Sequence, residues 1–167
     1  AELPAGTDLD LEIPYSGRPT YRRGTWGEVG WEELTDGVMV AAQPHGASTW
    51  FPCVDHPSVK STYRFSITTD AGYLAVCNGM PAGHRRRSSR EQWDWELTEP
   101  VPSYLATLQI GRYQLTELTS GSRRRPLTSQ RQVPSPVFMA VNPALKRPAQ
   151  QALALQNEIE ATENRIN

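Results

Sequence analysis

Alternation of apolar and polar residues with period two recurs along this chain, and it rules out a helical fold for most of its length. Leu9, Leu11, Ile13 and Tyr15 interleave with Asp8, Asp10 and Glu12; Tyr63, Phe65 and Ile67 interleave with Thr62, Arg64, Ser66 and Thr68; Trp93, Trp95 and Leu97 alternate again. Successive side chains of a strand point to opposite faces, so each run reads as a half-buried strand. Short apolar runs at 38–42, 73–77 and 137–141 add strands, and 105–115 reads as a longer one kinked at Gly111. The 14 prolines and 12 glycines among 167 residues punctuate these runs. About seven strands separated by turn signals predict an antiparallel β-sandwich, an all-β fold. Residues 16–37, with five glycines and two tryptophans, read as an irregular excursion, and "NGMPAG" at 78–83 reads as a turn.

The C-terminal stretch differs. Asn142-Pro143 fits a helix N-cap followed by proline. Beyond it Leu145, Ala149, Ala152, Leu153, Ile159 and Ile166 fall near one helical face, among good helix formers. The expected division is a β-sandwich domain over 1–141, and a linker with the first helix of another domain over 142–167.

Composition narrows the function. Seventeen basic and 18 acidic residues give a net charge of −1, so no nucleic-acid partner is expected. No apolar run approaches the roughly 20 residues of a membrane span, so no membrane partner is expected either. The basic clusters Arg85-Arg86-Arg87 with Arg90, and Arg123-Arg124-Arg125, read as solvated charge in connections between strands. Two cysteines, Cys53 and Cys77, cannot make a disulfide scaffold. They read as buried thiols of a reducing, cytoplasmic compartment, with a single disulfide between neighbouring strands the alternative. His45, His56 and His84 form no HExxH and no helical pair, so no metal site is expected. No GxSxG or GxxxxGK[ST] is present. Cys53 precedes His56, but prolines flank both and a structural role is expected. No catalytic residue is assigned.

The stretch at 43–60, "QPHGASTWFPCVDHPSVK", is the most distinctive. With Asn78-Gly79 and "WDWELTEPVPSYLATLQIGRY" at 93–113, it resembles the N-terminal β-domain of the aminopeptidase N family of zinc metallopeptidases, most of all its bacterial, actinobacterial members. Residues 38–118 carry the resemblance. The arginine usual after Ala47 is Ser48 here, a departure from the pattern.

The resemblance implies a saddle-like β-domain lacking its first strands, a catalytic domain of the same polypeptide as partner, and zinc in that parent enzyme but no cofactor in this chain. It also implies a substrate-binding residue. Eight positions before the Phe of "FPC" the family carries a Gln or Glu that holds the free α-amino group of the peptide substrate, and here that position is Gln43. An ammonium has three donors and no acceptor, so its site must supply oxygens. Asp55 is expected to cap nearby backbone N–H groups, and Phe51, Pro52 and Cys53 to serve as core and turn. A β-domain short of strands leaves open edges, so self-association is expected. The alternative from another class is a free-standing sandwich that binds proteins or carbohydrates through Trp26, Trp31 or Trp93.

Overall fold

The computed structural model describes residues 4–25, 27–118 and 136–154. Ten strands and one α-helix follow in order: β1 (Tyr21–Gly24), β2 (Gly27–Leu34), β3 (Gly37–Ala41), β4 (Lys60–Asp70), β5 (Leu74–Cys77), β6 (Met80–Arg87), β7 (Arg90–Pro102), β8 (Leu108–Gly111), β9 (Gln114–Leu118), β10 (Val137–Val141) and α1 (Lys146–Ala152). Every pairing is antiparallel. One sheet runs β1-β2-β3-β8-β5, a second β4-β7-β6, and β9 pairs with β10. The fold is all-β and antiparallel with a short C-terminal helix, as the alternation requires.

The core lies where the five- and three-stranded sheets face each other. Phe65 of β4 and Trp95 of β7 are directly opposite in register. They point inward onto Val40, Ala75, Cys77 and Leu108 of the other sheet. Trp95 is 2% exposed. Its indole N–H donates to the Ala75 carbonyl at 2.9 Å, so the largest side chain of the core carries no orphaned donor and ties the two sheets together. Trp93, one step along the same face, donates to the Tyr73 carbonyl at 3.0 Å.

Four expectations fail, each for a physical reason. Residues 8–15 form no strand: the alternation is present, but no described strand pairs with them, and Leu9, Leu11, Ile13 and Tyr15 are between 56% and 76% exposed. Residues 16–37 are not irregular throughout, because β1 and β2 form a hairpin and β2 pairs with β3. Of the glycines that suggested irregularity, Gly37 lies against the Ile110 carbonyl of β8 and Gly30 against Thr49 of the loop after β3, whereas Gly17 and Gly27 face open space. Residues 80–87 are a strand rather than a turn, so Arg85, Arg86 and Arg87 belong to β6, paired to β7. The turn is confined to Asn78 and Gly79, the glycine at φ +89° with its α-carbon against the Glu96 carbonyl. The strand read over 105–115 divides into β8 and β9, as Gly111 leads into an inverse turn in which the Tyr113 N–H donates to its carbonyl.

Beyond β10, the Asn142 side chain accepts from the Ala144 N–H at 3.0 Å, with Pro143 next in line, which is the cap the sequence indicates. A short 3-10 turn at Pro143–Leu145 comes first and α1 follows, with Pro148 in its first turn. Ile159, Ile166 and Arg123 to Arg125 lie outside the described residues.

Candidate functional site

Gln43 lies just after β3, in a turn that leaves its side chain exposed. The turn is closed by the Gly46 N–H donating to the Ala42 carbonyl at 2.6 Å, with a cis peptide between Gln43 and Pro44. Ala42 and Ala47, on either side, are buried in the core, so the exposed residues Gln43 and Pro44 stand on fixed ends.

The loop is clamped onto β2. Thr49, in the 3-10 turn Ala47–Thr49, donates its hydroxyl to the Gly46 carbonyl at 2.6 Å and accepts from the Trp31 N–H at 3.1 Å. This needs Gly30, at φ +101°, to lack a side chain: a Cβ there would lie 2.3 Å from the Thr49 hydroxyl. Gly46 is equally constrained, since a Cβ would lie 2.7 Å from the Gly30 nitrogen. His45 packs against Gly24 at the end of the β1–β2 hairpin.

Asp55 holds the other side of the loop. One carboxylate oxygen accepts from the Ser48 N–H at 3.2 Å, and the other from the hydroxyl of buried Ser103 at 3.0 Å. The capping role expected of Asp55 is realised, and it joins the loop after β3 to the segment after β7. Phe51 meets Trp50 edge-on at 4.7 Å and Tyr63 at 6.2 Å, while Trp50 stacks on Phe65 at 6.1 Å. Loop and core are thus one aromatic cluster. An open cleft of about 460 Å³ lies between 15–19 and 48–52, and Gln43 is not part of its lining.

The thiols are free: Cys53 is half-buried and Cys77 buried. Burial, then the Asp55 charge, raise the Cys53 pKa, and burial pushes Cys77 up to about 12. Both shifts oppose the thiolate that a nucleophile needs. His56 does not attend Cys53; its Nδ1 lies 2.7 Å from the Ser58 hydroxyl. Among the described residues no three His, Cys, Asp or Glu side chains cluster as metal ligands. Trp93 is held by its hydrogen bond and by His84 stacked 3.8 Å away, and Trp31 packs against the core, so neither offers an open platform for a sugar. Trp26 lies outside the described residues.

One polar cluster has no local signature in the sequence. Asp36 accepts from the Tyr73 hydroxyl and from Arg112 Nε at 3.1 Å, and the Arg112 guanidinium lies 4.5 Å from the Tyr73 ring. The Tyr73 hydrogen bond, then the Arg112 charge, lower the Asp36 pKa. Its members come from three separate turns, so only the fold brings them together.

These features define a class: an antiparallel β-domain that displays polar side chains from a braced loop, beside no metal cluster among its described residues. The profile of the Peptidase M1 N-terminal domain matches residues 4–105, and the chain belongs to that family. It is 33% identical to aminopeptidase B of Rattus norvegicus over 111 residues, 62% of this chain and 17% of the relative. It is 28% identical to the tricorn protease-interacting factor F2 of Thermoplasma volcanium over 102 residues, 60% of this chain and 13% of the relative. The chain therefore spans less than a fifth of the length of either. An M1 zinc metallopeptidase of Deinococcus radiodurans, solved with a Tyr-Ser-Ala substrate, superposes with a TM-score of 0.59 at 25% identity, over 62% of this chain and 24% of that one. Aminopeptidase A of Legionella pneumophila, solved with aspartic acid, shares the fold with a TM-score of 0.67 at 23% identity, over 82% of this chain and 16% of that one.

Proposed function

We propose that this chain serves as the N-terminal domain of a zinc aminopeptidase, and that Gln43 accepts a hydrogen bond from the α-ammonium of the peptide being trimmed. The observation that carries this is an exposed amide on a turn whose two ends are buried and whose loop is clamped by Thr49, Gly30 and Asp55. Family membership supports the wider role. The catalytic domain of the same polypeptide is the partner. Zinc belongs there and supplies a Lewis acid for water and carbonyl. Residues 146–152 form the first turns leading toward that domain.

The work of this chain is positional. The Gln43 amide oxygen meets one of the three ammonium donors without adding a second buried charge. Fixing the amine fixes which peptide bond is presented, so a single residue is removed at a time. Such orientation lowers the barrier without proton transfer.

The test is kinetic, on the whole enzyme. A hydrogen bond to a charged group contributes about 1.5–3 kcal/mol, so Gln43→Ala lowers kcat/KM about ten- to a hundredfold. Gln43→Glu retains an acceptor and keeps most of the activity. If both variants stay within about twofold of the parent, less than 0.5 kcal/mol, the role is wrong.

A further inference from the structure

Gly46 closes the turn that carries Gln43. Its N–H donates to the Ala42 carbonyl at 2.6 Å, and its own carbonyl accepts from the Thr49 N–H at 3.2 Å and from the Thr49 hydroxyl at 2.6 Å. The same hydroxyl accepts from the Trp31 N–H of β2 at 3.1 Å. One oxygen atom therefore joins the end of the turn to the backbone of the β1–β2 hairpin, and among the described residues no other hydrogen bond runs from 42–49 to β2 beyond the sheet ladder. Asp55 holds the loop at Ser48, but ties it to the segment after β7 rather than to the Gln43 turn.

The residue type follows from this geometry. A hydroxyl donates to one group and accepts from another through a single atom, which neither an apolar side chain nor a carboxylate does. Serine shares that chemistry, but the β-branch of threonine also restricts χ1. The threonine methyl takes up the space that Gly30 leaves, since a Cβ on Gly30 would lie 2.6 Å from it. Gly24 yields to His45 in the same way, with the imidazole 3.1 Å from where its Cβ would be. The hairpin is thus a backing plate whose two glycines receive side chains of the loop. We propose that Thr49 is a positioning residue for the aminopeptidase reaction: its hydroxyl fixes the Gln43 turn against β2 and so sets where the Gln43 amide meets the substrate's α-ammonium. This rests on the reading of Gln43 given above, and Thr49 acts through Gln43 rather than on the peptide. Without the hydroxyl, the Trp31 N–H loses its acceptor and the Gly46 carbonyl keeps only the Thr49 N–H, which frees the turn to shift along β2. Displacing an orienting group by about 1 Å can cost about a hundredfold in rate.

A double-mutant cycle on the whole enzyme, scored by kcat/KM on a peptide with a free α-amine, separates positioning from a role in folding alone. Thr49→Val keeps the shape and removes the hydroxyl, and is expected to lower kcat/KM about tenfold. Thr49→Ser retains the hydroxyl and stays within about threefold of the parent. On the Gln43→Ala background, Thr49→Val costs less than about twofold, because the group it positions is gone. Thermal melting accompanies each variant. Thr49→Ala, which lets water reach the freed backbone groups, takes the place of Thr49→Val in the cycle if that variant does not fold. A hydroxyl-free variant within about twofold of the parent overturns the proposal. So does an equal loss with and without Gln43, which would make Thr49 a support of the fold only. Gln43→Ala alone leaving kcat/KM unchanged marks a different failure: the reading of Gln43 is then wrong, and the positioning role falls with it.

Discussion

Residues 62–69 and residues 8–15 carry the same alternation, yet one is the spine of the fold and the other lies exposed. In β4 the apolar members face β5 and the loop after β3: Phe65 is buried, Tyr63 stacks parallel to it at 5.5 Å, and its backbone is paired along β7. In 8–15 the apolar members meet solvent, and no described strand takes up the backbone. The pattern decides which face would be buried. A partner strand and a covering layer decide whether it is, and only the covered face gains the roughly 1.5–3 kcal/mol per large side chain that burial provides.

The sharpest way to break this contrast is to truncate the layer that covers β4 and the brace beside it. Trp95→Ala removes a 2%-exposed indole and its hydrogen bond to Ala75, and chemical denaturation should show a loss of about 3–5 kcal/mol. A loss under about 1 kcal/mol would mean that the sheets are not held together there. Asp55→Ala should cost about 1–3 kcal/mol, because it strands the hydroxyl of buried Ser103 and frees the loop. Unchanged stability would remove the brace assigned to Asp55.

Titration sharpens the contrast further. Cys77 ionises at about 12 in the folded chain against an ordinary 9.0, so the unfolded chain loses the proton first. The stability tied to this thiol is complete below pH 9.0 and is lost as pH rises toward 12. Cys77→Ser should flatten that alkaline decline, and a slope that persists unchanged would assign it to other groups. The smallest effect is expected at Leu11→Ala, within about 0.5 kcal/mol for the monomer. A loss comparable to a core truncation would show that 8–15 is packed after all.

What was legible in the sequence followed from local pattern. β4, β7 and the capped start of the C-terminal helix are visible because alternation and Asn-Pro act over a few residues. β6 was hidden because its side chains are nearly all polar or small, as an edge strand allows. The β1–β2 hairpin was hidden because Gly30 serves a contact with Thr49, nineteen positions on, and such a contact leaves no local trace. Of the candidate site, Gln43 came from a family motif, and Asp55 from its place beside a turn. The bracing by Thr49, Gly30 and Ser103 depends on three segments meeting, as does the Asp36–Tyr73–Arg112 cluster.

The most direct measurement is a structure of the complete enzyme with a peptide in its cleft. The Gln43 amide oxygen is expected within about 3.2 Å of the substrate's α-amino nitrogen, and the loop from Ala42 to Asp55 unchanged. An amide facing solvent, or separated from that nitrogen by more than about twice the reach of a hydrogen bond, would contradict the role given to this domain.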